Sequence, residues 1–120
     1  MKLGKRIKEK TYVLRFREIN RDIFNAIKIG KKKVETRAST IKFKNVKKGD
    51  MILFLCGKSK FQKKIKGAYH FKNINGLLKK YPIKKINLRI SSRSELEKMY
   101  SGFPGYRDKI EKSGLISMEI

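Results

Sequence analysis

Apolar positions along this chain recur with two spacings, and the places where one gives way to the other outline its elements. Tyr12, Leu14 and Phe16 alternate with Val13, Arg15 and Arg17, which predicts a half-buried strand. Asn20 then stands where a helix cap is wanted. Ile23 and Ile27 share one face of a helix from Arg21 to about Ile29, and Asp22 favours its first turn. Gly30 suits the left-handed position past the helix end. A short strand from Lys33 to Arg37 follows, with Val34 and Thr36 on one side and Lys33, Glu35 and Arg37 on the other.

The next connection, Ala38 to Lys48, is polar but carries apolar anchors at Ile41, Phe43 and Val46. After the Lys48-Gly49-Asp50 turn, Met51 to Cys56 is an unbroken apolar run, as expected of a strand buried on both faces. Gly57 to Lys60 makes a turn. Phe61 to Phe71 alternates throughout, which predicts one long strand with a basic outer face and a bend at Gly67. A short helix is expected from Asn75 to Tyr81, ending before Pro82, and an extended loop from Ile83 to Ile90. Ser92 and Glu95 have capping-box spacing, so a helix begins there, with Leu96, Met99 and Tyr100 inward and Gly102 at its end. Tyr106 to Lys112 reads as a further turn or two of helix, and Leu115 to Ile120 as a last strand.

Consecutive strands with helices inserted at the ends place the chain in the α+β class. The expected form is a small, partly closed β-barrel of about five to six strands with helices at its side. The length suits one domain over residues 1–120, of which residues 1–10 are a basic N-terminal segment.

Charge sharpens this picture. Lys and Arg number 33 against 10 Asp and Glu, a formal net charge of +23. A polyanion is the natural partner, and RNA the first choice. A membrane surface is disfavoured, because the charge is spread along the chain rather than concentrated on one amphipathic helix. No apolar stretch has the length of a signal peptide or a membrane span, so the expected location is cytoplasmic. Cys56 is a lone cysteine in an apolar run and His70 a lone histidine. Neither a metal nor another cofactor is expected.

The residues richest in chemistry lie in Gly30-Lys31-Lys32-Lys33-Val34-Glu35-Thr36-Arg37. Glu35 and Arg37 project from one face of a strand, and Lys32 sits at the turn before them. An acid, a guanidinium and an amine can therefore meet at one end of a sheet. Glu35 is a candidate general base, or an acceptor for a base edge; its competing role is a structural ion pair. Arg37 suits a phosphate or Glu35, and Lys32 can stabilise a developing oxyanion. Lys31 and Lys33 add field. Lys58, Lys60, Lys63, Lys64 and Lys66 form an acid-free stretch that reads as a phosphate track, which His70 continues. Tyr69 and Tyr100 lie on predicted apolar faces and belong to the core. Tyr106, beside Gly102-Phe103-Pro104-Gly105, is freer to meet a ligand.

These residues also carry a family resemblance. Gly30, Lys32, Glu35 and Arg37 fit the G-x-K-x-x-E-x-R signature of the ASCH domains, a branch of the PUA-like superfamily. Val46 to Phe54 resembles the same family's K-x-G-D-x-hydrophobic strand, and the likeness spans roughly residues 11 to 120. The resemblance implies a barrel of about six strands with a cleft at the first motif, and an association with RNA. It also implies that some relatives are hydrolases, which cleave RNA or deacylate acetylated cytidine. The latter resemble G-x-K-x-x-T-x-R, with a threonine nucleophile. Here that position is Glu35, and Thr36 faces the other side of the strand, which argues against that mechanism. The leading expectation is RNA binding without chemistry. A ribonuclease or amidohydrolase using Lys32 and Glu35, and a module for an acidic protein or ribosomal RNA, are the alternatives.

Overall fold

Six strands form two three-stranded sheets, in a computed structural model that describes residues 9–120. Apart from Glu9 and Lys10, the basic N-terminal segment lies outside the described residues. In the first sheet β1 (Thr11–Phe16) runs parallel to β3 (Met51–Cys56), which pairs antiparallel with β4 (Ser59–Lys64). In the second, β6 (Leu115–Glu119) lies between β2 (Val34–Ala38) and β5 (Gly67–Phe71), antiparallel to both. Among the described residues there are also a short 3-10 turn (Glu18–Asn20) and five α-helices: α1 (Arg21–Lys28), α2 (Ile74–Lys80), α3 (Ile83–Ile86), α4 (Arg93–Ser101) and α5 (Tyr106–Ser113). This is an α+β domain, as the element order predicts. No helix among the described residues is long and apolar enough to cross a membrane.

Side-chain parity explains the layering. On the first sheet Tyr12, Leu14, Ile52 and Phe54 point inward. They meet Ile116 and Met118 from one face of the second sheet, with Ile23, Phe24 and Ile27 of α1 closing the end. The other face of the second sheet gives Val34 and Leu115 to a second core, with Leu77, Ile86, Leu96 and Tyr100 from the helices. The second sheet is thus the middle layer. Glu35 and Arg37 share their parity with Met118 and Ile116, opposite which they pair, and so face the gap between the sheets. Thr36 faces the helices.

The expected strand from Phe61 to Phe71 is two strands. Ile65 still pairs with the first sheet, its N–H donating to the Asp50 carbonyl and its carbonyl accepting from Gly49. One residue later the Lys66 N–H donates to Glu119 of the second sheet. The chain turns a corner between sheets at Ile65–Lys66, without losing its alternation. Odd-numbered residues therefore change cores: Phe61 packs in the first and Phe71 in the second. Tyr69, expected in the core, is exposed, with the Lys80 ammonium 4.0 Å from its ring centroid. His70 belongs to the second sheet and does not continue the lysine face; its Nδ1 lies 3.1 Å from Ser39 Oγ.

Four further expectations change. Ile83 to Ile90 contains the short helix α3 and then a turn. On β3 only Ile52, Phe54 and Cys56 are buried, while Met51, Leu53 and Leu55 are half-covered, because nothing described packs fully over the outer face. Ile41 is 86% exposed and anchors nothing; Phe43 and Val46 hold that connection. Asn20 occupies the cap position, but its side chain is turned to Arg89. The Ser92 cap forms as expected, Ser92 Oγ accepting from the Glu95 N–H at 3.2 Å.

The sheets join at the β4–β5 corner and part between β1 and β2, both of which are edge strands. Gly114 shapes the entry to β6. Its φ is +76°, and a Cβ there would stand 2.3 Å from the Phe71 carbonyl oxygen. Gly114→Ala is expected to lower the unfolding free energy by about 2–3 kcal/mol, seen as an earlier urea midpoint with an unchanged slope.

Candidate functional site

A cleft of about 1000 Å³ opens where β1 and β2 part. The end of β1 forms one wall, with Arg15, Phe16 and Arg17. The helices form the other, with Lys98, Met99 and Tyr100 of α4 and Tyr106 and Lys109 of α5. The floor is the signature segment: Lys32, Glu35, Thr36 and Arg37 all line it. Arg37 reaches across the gap, its guanidinium carbon 6.0 Å from the centroid of the Phe16 ring.

The register of β2 accounts for much of this floor. Glu35 and Arg37 direct their backbone groups toward β6, and Val34, Thr36 and Ala38 direct theirs outward to the open edge. An unpaired edge is a liability. Here side chains satisfy it. Lys32 Nζ donates to the Val34 carbonyl, and the Thr36 N–H donates to Glu35 Oε1 at 3.3 Å. Arg37 Nη1 donates to the Thr36 carbonyl at 2.8 Å, and the Ala38 N–H donates to the Tyr106 hydroxyl at 3.0 Å. The residues that read as a functional motif therefore also seal a strand edge.

The charges interlock. Lys32 is 3% exposed and Glu35 6%. Lys32 Nζ lies 3.5 Å from Glu35 Oε1, and Arg37 Nη1 lies 3.3 Å from Oε2. Lys32 also donates to the Ile86 carbonyl at 2.7 Å, tying the end of α3 to β2. With Val34, Ile86 and Glu35 as partners, its three N–H groups are all engaged, which leaves none for an oxyanion. Burial pushes the Lys32 ammonium below the usual lysine range, against the pull of Glu35. Burial pushes Glu35 up, but Arg37 and Lys32 outweigh it and hold the carboxyl below its ordinary value. Glu35 is thus an ionised acceptor with little reason to take a proton, a poor match to a general base. Arg37 is half-buried, and among the described residues Nη1 alone of its guanidinium nitrogens is engaged. It can therefore meet an anion.

Thr36 does face away from Glu35, yet it lines the same cleft, because the cleft wraps around the β2 edge. Its Oγ1 lies 2.6 Å from the Tyr100 hydroxyl, whose ionisation burial opposes. Of the residues singled out from the sequence, Lys32, Glu35, Arg37 and Tyr106 come together here. Lys31 and Lys33 are exposed beside the floor without lining it. Lys58, Lys60, Lys63, Lys64 and Lys66 are elsewhere: Lys60 and Lys64 share the outer face of β4, Lys63 is half-buried on the other face, and Lys58 and Lys66 occupy the flanking turns. Tyr100 was expected in the core and is buried, but it also borders the cleft.

The sequence reading missed Arg15, Arg17, Arg89, Lys98, Lys109 and Phe103, all on the cleft wall. Arg89 is already committed: Nε donates to Asp22 Oδ2 at 3.0 Å, Nη1 to Asn20 Oδ1 at 2.9 Å, and Nη2 to the Ile19 carbonyl at 2.8 Å. It straps the α3–α4 connection to the start of α1. Glu35 is the only carboxylate on the wall among the described residues. The cleft is strongly cationic around one buried acceptor.

Two of the solved structures that share this fold are similar over most of the chain. One is the crystal structure of the hypothetical protein PH0355, 28% identical, with 91% of this chain and 95% of that chain covered and a TM-score of 0.73. The other is the solution structure of PF0455 from Pyrococcus furiosus, 26% identical, with 91% and 94% covered and a TM-score of 0.69. No family model matches the chain, and no curated protein matches it.

Proposed function

We propose that the chain is an RNA-binding domain of the ASCH type, a PUA-like barrel parted along the β1–β2 seam. The cleft in that seam takes a nucleotide, and the lysine-rich outer surface adds affinity for the phosphate backbone. The observation that carries this reading is the cleft itself, in which Arg15, Arg17, Arg37, Lys98 and Lys109 surround the buried carboxylate of Glu35. Phosphates suit the cations. The floor offers an acceptor, Glu35, beside a donor, Arg37, and nucleobase edges carry N–H donors next to acceptors. The partner is a cytoplasmic RNA; a ribosomal RNA or an acidic protein would use the outer lysines without needing the floor.

Binding should depend steeply on salt. With on the order of five phosphate contacts, the log–log slope of affinity against salt is expected near −3.5 to −4.5. Replacing Lys64 and Lys66 with alanine should flatten it by about one to two units and weaken all sequences alike. A slope near zero would refute the phosphate contacts.

A hydrolase in the same cleft is the second reading, favoured by the Thr36 hydroxyl 2.6 Å from that of Tyr100 near Glu35. The commitment of Lys32 to three internal acceptors counts against it. Incubation with labelled RNA and with N-acylated cytidine, each with a Glu35→Gln control, separates the two: turnover abolished by the substitution would establish the enzyme.

A further inference from the structure

Phe103 sits on the turn between α4 and α5 and is 43% exposed. Five large apolar or aromatic residues are exposed among the described residues, namely Ile19, Ile29, Ile41, Tyr69 and Phe103, and of these Phe103 alone lines the cleft. The turn is well held. The Phe103 N–H donates to the Tyr100 carbonyl at 3.2 Å, and its carbonyl accepts from Tyr106 at 3.1 Å. Pro104 follows, and Gly105 takes a φ of +69° that few side chains tolerate. The ring is buttressed as well: it meets Tyr106 edge-to-face at 5.2 Å, and Tyr106 stacks on Tyr100 at 6.1 Å. Those tyrosines are bonded through their hydroxyls to Ala38 and Thr36, on the strand that carries Glu35 and Arg37. An exposed aromatic side chain is thereby held relative to the charged floor, on a wall that Lys98 and Lys109 make cationic.

We infer that Phe103 is the platform on which an unpaired nucleobase of the bound RNA stacks. The inference rests on the RNA-binding reading and deepens it, because a base engaged by its face on Phe103 and by its edge at the floor is not paired in a duplex. The ligand class is then single-stranded RNA or an unpaired loop. Stacking of this kind tolerates any base, since every base has a π-face.

The chain contains no tryptophan, so Phe103→Trp introduces a single reporter at the platform. The probes are a single-stranded oligoribonucleotide, its duplex, and an abasic oligomer of the same length. Saturable quenching by the single strand, with little by the abasic oligomer or the duplex, is expected. Phe103→Ala should weaken single-strand binding about 5- to 100-fold and leave binding of the abasic oligomer unchanged. Phe103→Leu, which keeps apolar area without a π-face, should remain weak, and Phe103→Trp should bind as the wild type does. If RNA and the abasic oligomer bind alike and Phe103→Ala is neutral, the platform is overturned while RNA binding stands. If the wild type binds no RNA, both are overturned.

Discussion

Replacing Lys32 with methionine is expected to destabilise the protein by about 3–5 kcal/mol, the largest stability loss foreseen for any single change in the cleft. The side chain is about as long as lysine and fits the same space, so little of the loss comes from packing. What disappears is the cation held between Glu35 and the carbonyls of Val34 and Ile86. Two buried carbonyls lose their donor, and a buried carboxylate keeps only Arg37. Denaturant unfolding would read the change directly. Adding Glu35→Gln should restore part of it, because the carboxylate stranded by the first change is then neutral. The double variant should be clearly more stable than the sum of the two losses predicts.

Acid adds a second signature. The Glu35 carboxyl is held low in the folded state, so its contribution to stability is complete above its unfolded value of about 4.3 and is lost as pH falls toward its folded value. In Lys32→Met one of the two supporting cations is gone, so the folded value rises toward the unfolded one, and the acid-linked loss should be smaller and end at a higher pH. Lys32 thus serves the fold as much as the site, since it also fixes the end of α3 against β2.

Reversing the charge of the β1 rim should have the largest effect on binding. Arg15→Glu with Arg17→Glu is expected to weaken RNA binding about a hundredfold or more near 0.1 M salt, through two lost phosphate contacts and two new repulsions. Both side chains are exposed, and neither forms an ion pair or a side-chain hydrogen bond among the described residues, so folding should be unaffected. Affinity measured by fluorescence anisotropy, beside an unfolding curve on the same preparation, checks both parts. A binding loss no greater than that of Lys64→Ala with Lys66→Ala would mean that charge acts without regard to place.

These expectations draw on parts of the molecule that were unequally legible in the sequence. Local signals read well. The alternation of Tyr12 to Phe16, the capping spacing of Ser92 and Glu95 and the left-handed Gly30 (φ +82°) each appear where expected. The meeting of Lys32, Glu35 and Arg37 was legible too, because it depends only on strand parity and one turn. The corner at Ile65–Lys66 was hidden, because a strand that changes sheets keeps its period of two while its apolar side changes cores. The far wall was hidden for another reason. Arg15, Lys98 and Phe103 are distant in sequence from the motif, and exposed residues carry no pattern that says which surface they share. A short exposed Phe-Pro between glycines was the one available hint.

The most direct measurement of the central claim is amide chemical-shift mapping of the isotope-labelled protein during titration with a short single-stranded RNA. The cleft account predicts saturable shifts concentrated on Arg15 to Arg17, Glu35 to Arg37 and Lys98 to Lys109, with smaller, salt-sensitive shifts along β4. Shifts confined to β4 and its flanking turns, with the β1–β2 seam unmoved, would contradict it.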